Sequence, residues 1–510
     1  MATSPEALSL LDQLSRELDR RQAEQTRAEG YYDGEHNLLF ASPQFQQYFG
    51  GLFTYFADNW CQVVVDSVAE RLTVRGIRLS TGTGTDAIAD AESRRVWQEN
   101  ELDADSGLAW VDTLTAGRTH VLVWGNLDDD ETPEVTFEAP GETIIGYEPG
   151  SRRRRRAALK RWRDDNNEYA TLYLPDEVWK FSKPAFRVPV VNGRTESGLV
   201  VTGAVTRAGE GWQLREVPGE PNPQRNPMRV VPMVELPNRS RLAKDPVSEI
   251  RNVIPLQDAV NLLWSHLLTA SDFAAFPQRV IMGMDVPRKP ILDEQGEIVG
   301  YEPVDLAKYA VDRVVWLEDP NAKIGEWSAA DLSNYTQVIE VAVGHIAAQT
   351  RTPQHYLIGK MANMSADALK AAETGLVSRV RERQVYLGEA VREMWRLVAL
   401  AQGDEARAKA IKTGTVLWAD PESRSEAELV DSLVKLKGIG VPDEALWERY
   451  GADVDEITRW SKMRDQAASR ILAGDLAGLV GPKPDPQDEG DQGDGQDPGG
   501  PPPPGSAQGG

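Results

Sequence analysis

The 510-residue sequence contains very little cysteine and no long apolar run. Its one cysteine, Cys61, excludes an internal disulfide and lies in the apolar stretch WCQVVV, where we expect a small buried side chain. No run of about 18 apolar residues is present, and the N-terminus is acidic and amphipathic. We therefore predict neither a membrane span nor classical secretion, and we expect assembly in the cytoplasm.

The chain also lacks an excess of positive charge and the motifs of common enzymes. Its 79 acidic residues against 56 basic ones give a net charge of −23, which excludes a strong general nucleic-acid binder. No G-x-x-x-x-G-K-[ST], G-x-S-x-G, H-E-x-x-H or C-x-x-C motif occurs. The five histidines have no metal-ligand spacing, and His266 and His345 lie on predicted helices. We predict no catalysis, no cofactor and no metal site.

Two segments have the heptad spacing of helices that pack nearly parallel. The first segment, residues 246–276, is a predicted helical block in which the helix restarts at Pro255. The second, residues 328–351, is a predicted helix that opens with an N-capping pattern at Ser328. Pro353 ends the second helix because it disfavours helical geometry in the preceding residue. Both segments place apolar side chains at steps of three and four, and we predict that these side chains pack across subunit boundaries. The predicted interface residues are Leu256, Val260, Leu263, Leu267, Leu332, Tyr335, Ile339 and Ile346.

A loop and a very long helix come next. Residues 352–364 are predicted as a loop whose Gly359 and Asn363 allow irregular backbone. Ser365 is the predicted N-cap of a helix that meets no proline before Gly403 and is about 55 Å long at 1.5 Å per residue. Its length favours a rod between bodies or subunits over an element that fills one small core.

The remaining segments indicate a mixed α+β body with a helical segment and a tail. Residues 119–235 are strand-rich, and three strands with a hairpin-like turn at 293–296 lie between the heptad helices. Residues 479–510 contain almost nothing apolar, so we predict a disordered acidic tail. Other helices are predicted near residues 5–28, 52–72, 87–100, 103–116, 424–437, 442–450 and 453–474.

Five consecutive arginines form a basic run: Arg152, Arg153, Arg154, Arg155 and Arg156. They are either a phosphate-binding patch or a solvated strand entrance whose guanidinium groups pair with acids of this chain or of a neighbouring copy. The lack of interleaved aromatic residues suited to base stacking favours the second interpretation.

This order of segments resembles the portal proteins of tailed bacteriophages. The stretches YYDGEH, YFADNWCQVVVDSVAERL, LLTASDFAAFPQRVIMG and TPQHYLIGKMANMSADALKAAE resemble portals of phages that infect actinobacteria, within the gp6-like portal family. The resemblance covers roughly residues 5–475. It implies an α+β wing at 1–245, a first stem helix at 246–276, a clip at 277–327, a second stem helix at 328–351, a tunnel loop at 352–364, a long wing helix at 365–403, and a helical crown at 404–478.

The resemblance also implies the function and the sites. The family forms a dodecameric ring at one capsid vertex of the virion, through which double-stranded DNA is packaged and ejected. Implied partners are the terminase large subunit, a head-completion or adaptor protein, and the major capsid and scaffolding proteins, with docking at the clip turn Asp293, Glu294 and Gln295. The implied tunnel-loop residues are His355, Tyr356, Lys360, Met361, Asn363 and Met364, which either touch DNA weakly or pack between subunits.

Two other functions remain open from the sequence. Heptad helices and an acidic tail are equally compatible with a structural ring or scaffold oligomer that has no DNA channel. An enzyme with a dispersed site is a weaker alternative. The match in the tunnel-loop stretch favours the portal.

Overall fold

A computed structural model describes residues 4–36, 58–79, 90–126, 129, 131–185, 211–242, 244–275, 279–282, 288–292, 295–303, 314–317, 332–359, 365–422, 426–452 and 454–480. The chain divides into two compact units, Met1–Val454 and Asp455–Gly510. Of the second unit, the described part is one helix. The first unit contains every other element given below.

Short polar side chains begin several of the helices. Asn59, Asp90, Ser365 and Asp404 each accept a hydrogen bond from a backbone N–H of the first turn that follows, which confirms the predicted cap at Ser365. In chain order the described helices are α1 (Ser4–Tyr32), α2 (Trp60–Ala69), α3 (Ala91–Glu99), α4 (Leu102–Ala116), α5 (Ile254–Ala275), α6 (Ser333–Thr350), α7 (Gln354–Ile358), α8 (Ala366–Ala401), α9 (Glu405–Ile411), α10 (Glu426–Gly438), α11 (Asp443–Tyr450) and α12 (Val454–Val480).

The strands confirm the mixed α+β class. They are β1 (Val74–Arg78), β2 (Arg118–Trp124), β3 (Glu134–Glu138), β4 (Thr143–Tyr147), β5 (Arg155–Arg163), β6 (Asn167–Tyr173), β7 (Glu177–Pro184), β8 (Gln213–Leu214), β9 (Gln224–Arg225), β10 (Met233–Pro237), β11 (Arg279–Met282), β12 (Arg288–Leu292), β13 (Ile298–Pro303), β14 (Val314–Leu317) and β15 (Thr415–Trp418).

Most strand pairs are antiparallel. One sheet has the order β10-β2-β3, and a larger one has the order β4-β5-β6-β7-β8 with β9 also paired to β7. β11 pairs with β14 in parallel, whereas β12 and β13 form the hairpin that the sequence predicts around residues 293–296. The strand β12 itself was not predicted, because Pro290 interrupts its β pattern.

The long helix α8 forms the centre of the largest core. Leu376, Leu387, Met394 and Trp395 are at most 1% exposed and belong to one buried cluster with side chains of α2, α4 and β2. The expectation that this rod spans between bodies instead of filling a core is therefore corrected for its C-terminal two thirds. A repeated apolar face defines which side of a helix is buried, but not how large the body around it is.

The main core also includes residues beyond position 404. Ala408 and Ile411 of α9 are buried in it, and β15 pairs with β1, where Ile77 faces Val416. In the structure, residues 405–418 thus belong to the same core as α2, α8 and β1, although the resemblance implies a crown that begins at 404. A second core lies between α1 and the larger sheet and contains Leu11, Leu18 and Leu159.

Candidate stem and tunnel-loop site

The two heptad helices α5 and α6 pack against each other within one chain. Val260 and Ile346 are fully buried, and Ile339 is 6% exposed. The same core receives a half-buried set: Leu256, Leu263 and Leu267. Val260, Ile339 and Ile346 are already covered within one protomer, whereas the contact of these helices with a neighbouring subunit stays a prediction. The heptad faces of α5 and α6 meet within a single chain.

The opposite face of α6 remains open to solvent. Val338 is 51% exposed and Val341 is 59% exposed, and both follow Tyr335 at steps of three. Tyr335 and Leu332 are half-buried, and His345 is exposed one turn beyond Val341. Side chains at such steps lie on one side of a helix. A partly apolar stripe is therefore exposed on the second stem helix.

The first turns of α5 are fixed to the end of α1 and the start of α2 by buried polar side chains. Gln257 donates to the Asp58 carbonyl at 2.7 Å and accepts from the Trp60 N–H at 3.1 Å. Asn261 lies 3.1 Å from His36 Nδ1, and the Tyr31 hydroxyl donates to Asp258. Burial and the Asp258 carboxylate raise the pKa of Tyr31 to about 12. Gln257, Asp258 and Asn261 thus form a buried polar seam. The sequence reading missed this seam, because polar residues beside a heptad stripe ordinarily indicate a solvated face.

The start of the predicted tunnel loop is a short helix, α7. The Tyr356 hydroxyl accepts from Arg71 Nη2 at 2.8 Å and donates to Glu373 Oε1 at 3.0 Å. Trp60 Nε1 donates to the Leu357 carbonyl at 3.1 Å. Burial, with the Glu373 contact, raises the pKa of Tyr356. Residues 354–358 are thus a fixed helical turn and not irregular loop, since α2 and α8 both hold them.

The other predicted tunnel-loop residues have different outcomes. His355 packs edge-on against the Tyr356 ring, with ring centroids 4.6 Å apart. Gly359 ends α7 in the left-handed region with φ +68, a conformation that glycine adopts without a Cβ clash. Lys360, Met361, Asn363 and Met364 lie outside the described residues.

A buried ionic cluster joins the start of α5 and the end of α6 to α8. Glu249, just before α5, contacts Arg379 Nε at 2.9 Å and Arg383 Nη2 at 3.0 Å. Arg379 also donates to the Thr350 carbonyl at the end of α6 and to Val64 O at 3.0 Å. Burial opposes ionisation of Glu249, but the two guanidinium groups outweigh it and hold the pKa of Glu249 below its ordinary value. The start of α5 and the end of α6 therefore share one anchor.

The predicted clip turn falls in sequence between β12 and β13. Gln295 is exposed there, whereas Asp293 and Glu294 lie outside the described residues. The hairpin exposes a set of large apolar side chains: Ile291, Leu292, Ile298, Val299 and Tyr301. The sequence reading placed docking on the charged tip and missed this apolar surface.

The described part of the chain shows neither metal sites nor membrane helices. No group of three or more His, Cys, Asp or Glu side chains in it has the arrangement to hold a metal ion. Among the same residues, no helix has the length and apolar character to cross a membrane.

Comparison with known proteins decides among the three functions that the sequence left open. The model of the phage portal protein family described as SPP1 Gp6-like matches residues 11–470. The chain belongs to this portal family. Relatives include the portal protein of Mycobacterium phage D29, 27% identical over 426 residues that cover 79% of this chain and 78% of that one. The portal protein of Mycobacterium phage L5 is 28% identical over 422 residues, with the same coverage.

Membership in the portal family excludes the two competing interpretations. Portal proteins are structural proteins of the virion and not enzymes, which agrees with the prediction of no catalysis. The helical pair, the hairpin between its helices and the fixed turn after it are therefore elements of a portal protein. The scaffold oligomer without a DNA channel is not supported.

Proposed function

We propose that twelve copies of this chain form the ring at one capsid vertex through which the phage genome is packaged and ejected. The family match over residues 11–470 carries this proposal. The buried anchor of Glu249, Arg379 and Arg383 supports it, because it holds both stem helices of a protomer in one orientation. A ring that conducts DNA needs such rigid walls. The net charge of −23 suits passage, since a ring that is acidic as a whole does not retain the duplex tightly.

Within the ring, the open stripe of α6 is the proposed contact with a neighbouring stem. Val338 and Val341 are exposed apolar side chains of the protomer, and Tyr335 beside them is half-buried. Burying each exposed valine contributes on the order of 1.5 kcal/mol or more, repeated at every interface. Residues 360–364 are the proposed DNA-facing part of the tunnel loop. Tyr356 is held by Arg71 and Glu373 and is assigned to the base of that loop.

The clip hairpin is the proposed platform for the terminase large subunit and for the head-completion protein. Its exposed apolar side chains, together with Gln295 at its tip, support docking of protein partners. Major capsid and scaffolding proteins complete the proposed surroundings of the ring at the vertex. Assembly takes place in the host cytoplasm before DNA enters.

Labelling and depletion in the phage test this function. A gold-labelled antibody against the chain is expected to mark a single vertex of each capsid. Phage that lack the chain are expected to build capsids without DNA, and the wild-type chain supplied in trans restores filling. Label at many vertices, or filled capsids without the chain, contradicts the proposal.

A further inference from the structure

The arginine run lies on a rigid hairpin turn between β4 and β5. Ser151 Oγ accepts from the backbone N–H of Arg153 at 3.3 Å and of Arg154 at 3.0 Å. The Glu148 N–H donates to the Arg154 carbonyl at 2.9 Å, and Gly150 takes a φ of +76. These bonds fix the backbone of the turn. The Cα positions from which the arginine side chains extend are therefore fixed.

Among the described residues, Arg155 is the member of the run that makes contacts inside the protein. Arg155 is half-buried, donates to the Met233 carbonyl at 3.0 Å and pairs with Glu393 of α8. The remaining members of the run are exposed: Arg152, Arg153, Arg154 and Arg156. In the described part of the chain, none of their side chains forms an ion pair or a hydrogen bond. The turn contains one acidic residue, Glu148, and therefore carries a local excess of positive charge from these four arginines.

Two neighbouring cations of β5 are paired, whereas Arg163 at the end of the strand is exposed like the run. Lys160 pairs with Glu138 at 2.8 Å, and Arg161 pairs with Asp19. The chain has 79 acids available for 56 bases, so unpaired arginines do not follow from a shortage of partners. Adjacent like charges repel one another in the folded protein. An external anion removes that repulsion.

We propose that Arg152, Arg153, Arg154 and Arg156 form a phosphate-binding site for double-stranded DNA. A guanidinium group binds phosphate through two parallel hydrogen bonds, a geometry that lysine does not offer. The run spans at most about 17 Å, along which a duplex presents roughly five phosphates per strand. No aromatic side chain interrupts the run, so it contacts the backbone of a duplex and does not stack on single-stranded bases.

Because the site rests on the proposed portal function, DNA is favoured over an acidic polypeptide. The ring handles a duplex with one charge per about 1.7 Å of its axis. The acidic sequence 481–510 is the best polypeptide competitor in this chain, but it spreads six acids over 30 residues. The higher density of negative charge on a DNA duplex matches four closely spaced guanidinium groups better than this polypeptide does.

The test uses the full-length assembled protein and two charge-matched variants. In the first, Arg152, Arg153, Arg154 and Arg156 are changed to Gln. In the control, four exposed arginines elsewhere are changed to Gln: Arg16, Arg20, Arg225 and Arg241. Fluorescence anisotropy measures binding of a labelled duplex of about 30 base pairs between about 50 and 200 mM salt.

The first variant is expected to bind the duplex at least tenfold more weakly than the control. Its log–log slope against salt concentration should be shallower by about 3 to 4, at about 0.9 per lost phosphate contact. Equal binding by the two variants overturns the site and leaves the portal function standing. Loss of binding to a synthetic peptide of residues 481–510, with duplex binding unchanged, makes the partner an acidic polypeptide and also overturns the site. Failure of the first variant alone to form rings overturns it as well, because the arginines then belong to a subunit contact.

Discussion

At the scale of single residues, the buried cluster around Glu249 is the most consequential feature of the protomer. Arg379 and Arg383 are each 4% exposed at the side chain, and they meet a carboxylate that is equally buried. Removal of one partner from such a cluster leaves an uncompensated buried charge. The cluster also ties together three segments that are far apart in sequence. Its loss is therefore expected to affect the stem as well as overall stability.

We expect Glu249→Ala to lower the free energy of unfolding by about 3 to 5 kcal/mol at neutral pH. Urea denaturation followed by circular dichroism measures this change. The control is Glu389→Ala on α8, the helix that carries Arg379 and Arg383. The Glu389 side chain is 64% exposed and pairs with Arg392, and its loss should cost under about 1 kcal/mol. Equal changes in the free energy of unfolding would show that the buried cluster stabilises the protein no more than an exposed ion pair does.

The same cluster predicts a pH dependence. The pKa of Glu249 is lower in the folded state than its unfolded value of about 4.3. Its stabilising contribution is therefore fully present above about pH 4.3 and is lost as the pH falls through the folded pKa. The difference in stability between wild type and Glu249→Gln should shrink below that point. A difference that grows toward acid pH contradicts the ionised cluster.

A second residue-scale prediction concerns the base of the tunnel loop. Tyr356→Phe removes the hydroxyl that joins Arg71 to Glu373, and it should cost about 1 kcal/mol of stability. Tyr335→Phe on α6 is the matched control. Hydrogen exchange of residues 354–358 should rise in the first variant alone. Unchanged exchange would show that the hydroxyl does not hold α7.

At the scale of elements, the heptad pattern predicted both stem helices but not the partner of their apolar faces. Periodicity shows which side of a helix is apolar, and nothing in it separates a partner in the same chain from one in the next subunit. The polar seam at Gln257 and the anchor at Arg379 were missed for a related reason. Their partners lie far away in sequence, from 29 to 315 positions, and a charged residue on a helix ordinarily indicates a solvated face. Local signals such as the Ser365 cap and the Gly359 turn were read correctly, because neighbouring residues determine them.

The exposed stripe of α6 gives an assembly prediction. Val338→Asp should leave the protomer folded, with a change in stability within about 0.5 kcal/mol, because this side chain is 51% exposed. It should nevertheless prevent ring formation. Ile339→Asp, one residue further and 6% exposed, should instead unfold the protomer. Light scattering and circular dichroism separate the two cases, and intact rings of Val338→Asp refute the stem contact.

The tunnel loop gives a prediction about DNA. Removal of residues 360–363 leaves α7 and the Ser365 cap in place, so rings should still form. The DNA content of purified particles should fall, or DNA should leak from filled heads. Lys360→Ala alone should have a smaller effect, because one cation makes one phosphate contact per subunit. Normal filling and retention with the shortened loop would assign the loop to a subunit contact.

At the scale of the whole molecule, composition predicts which part is dispensable. Residues 481–510 lie outside the described residues, and their sequence offers almost no apolar surface to offset the entropy of ordering. A chain that ends near Leu479 should therefore assemble as the full chain does, as judged by gel filtration and microscopy. Loss of the ring on truncation would give the tail a structural role.

The central claim is that this member of the portal family forms a ring around a DNA channel. Electron microscopy of the purified full-length protein, with symmetry determined from end-on views, tests it most directly. We expect closed rings of twelve copies with an open axial hole. A compact monomer, or an oligomer without an axial channel, would contradict the account.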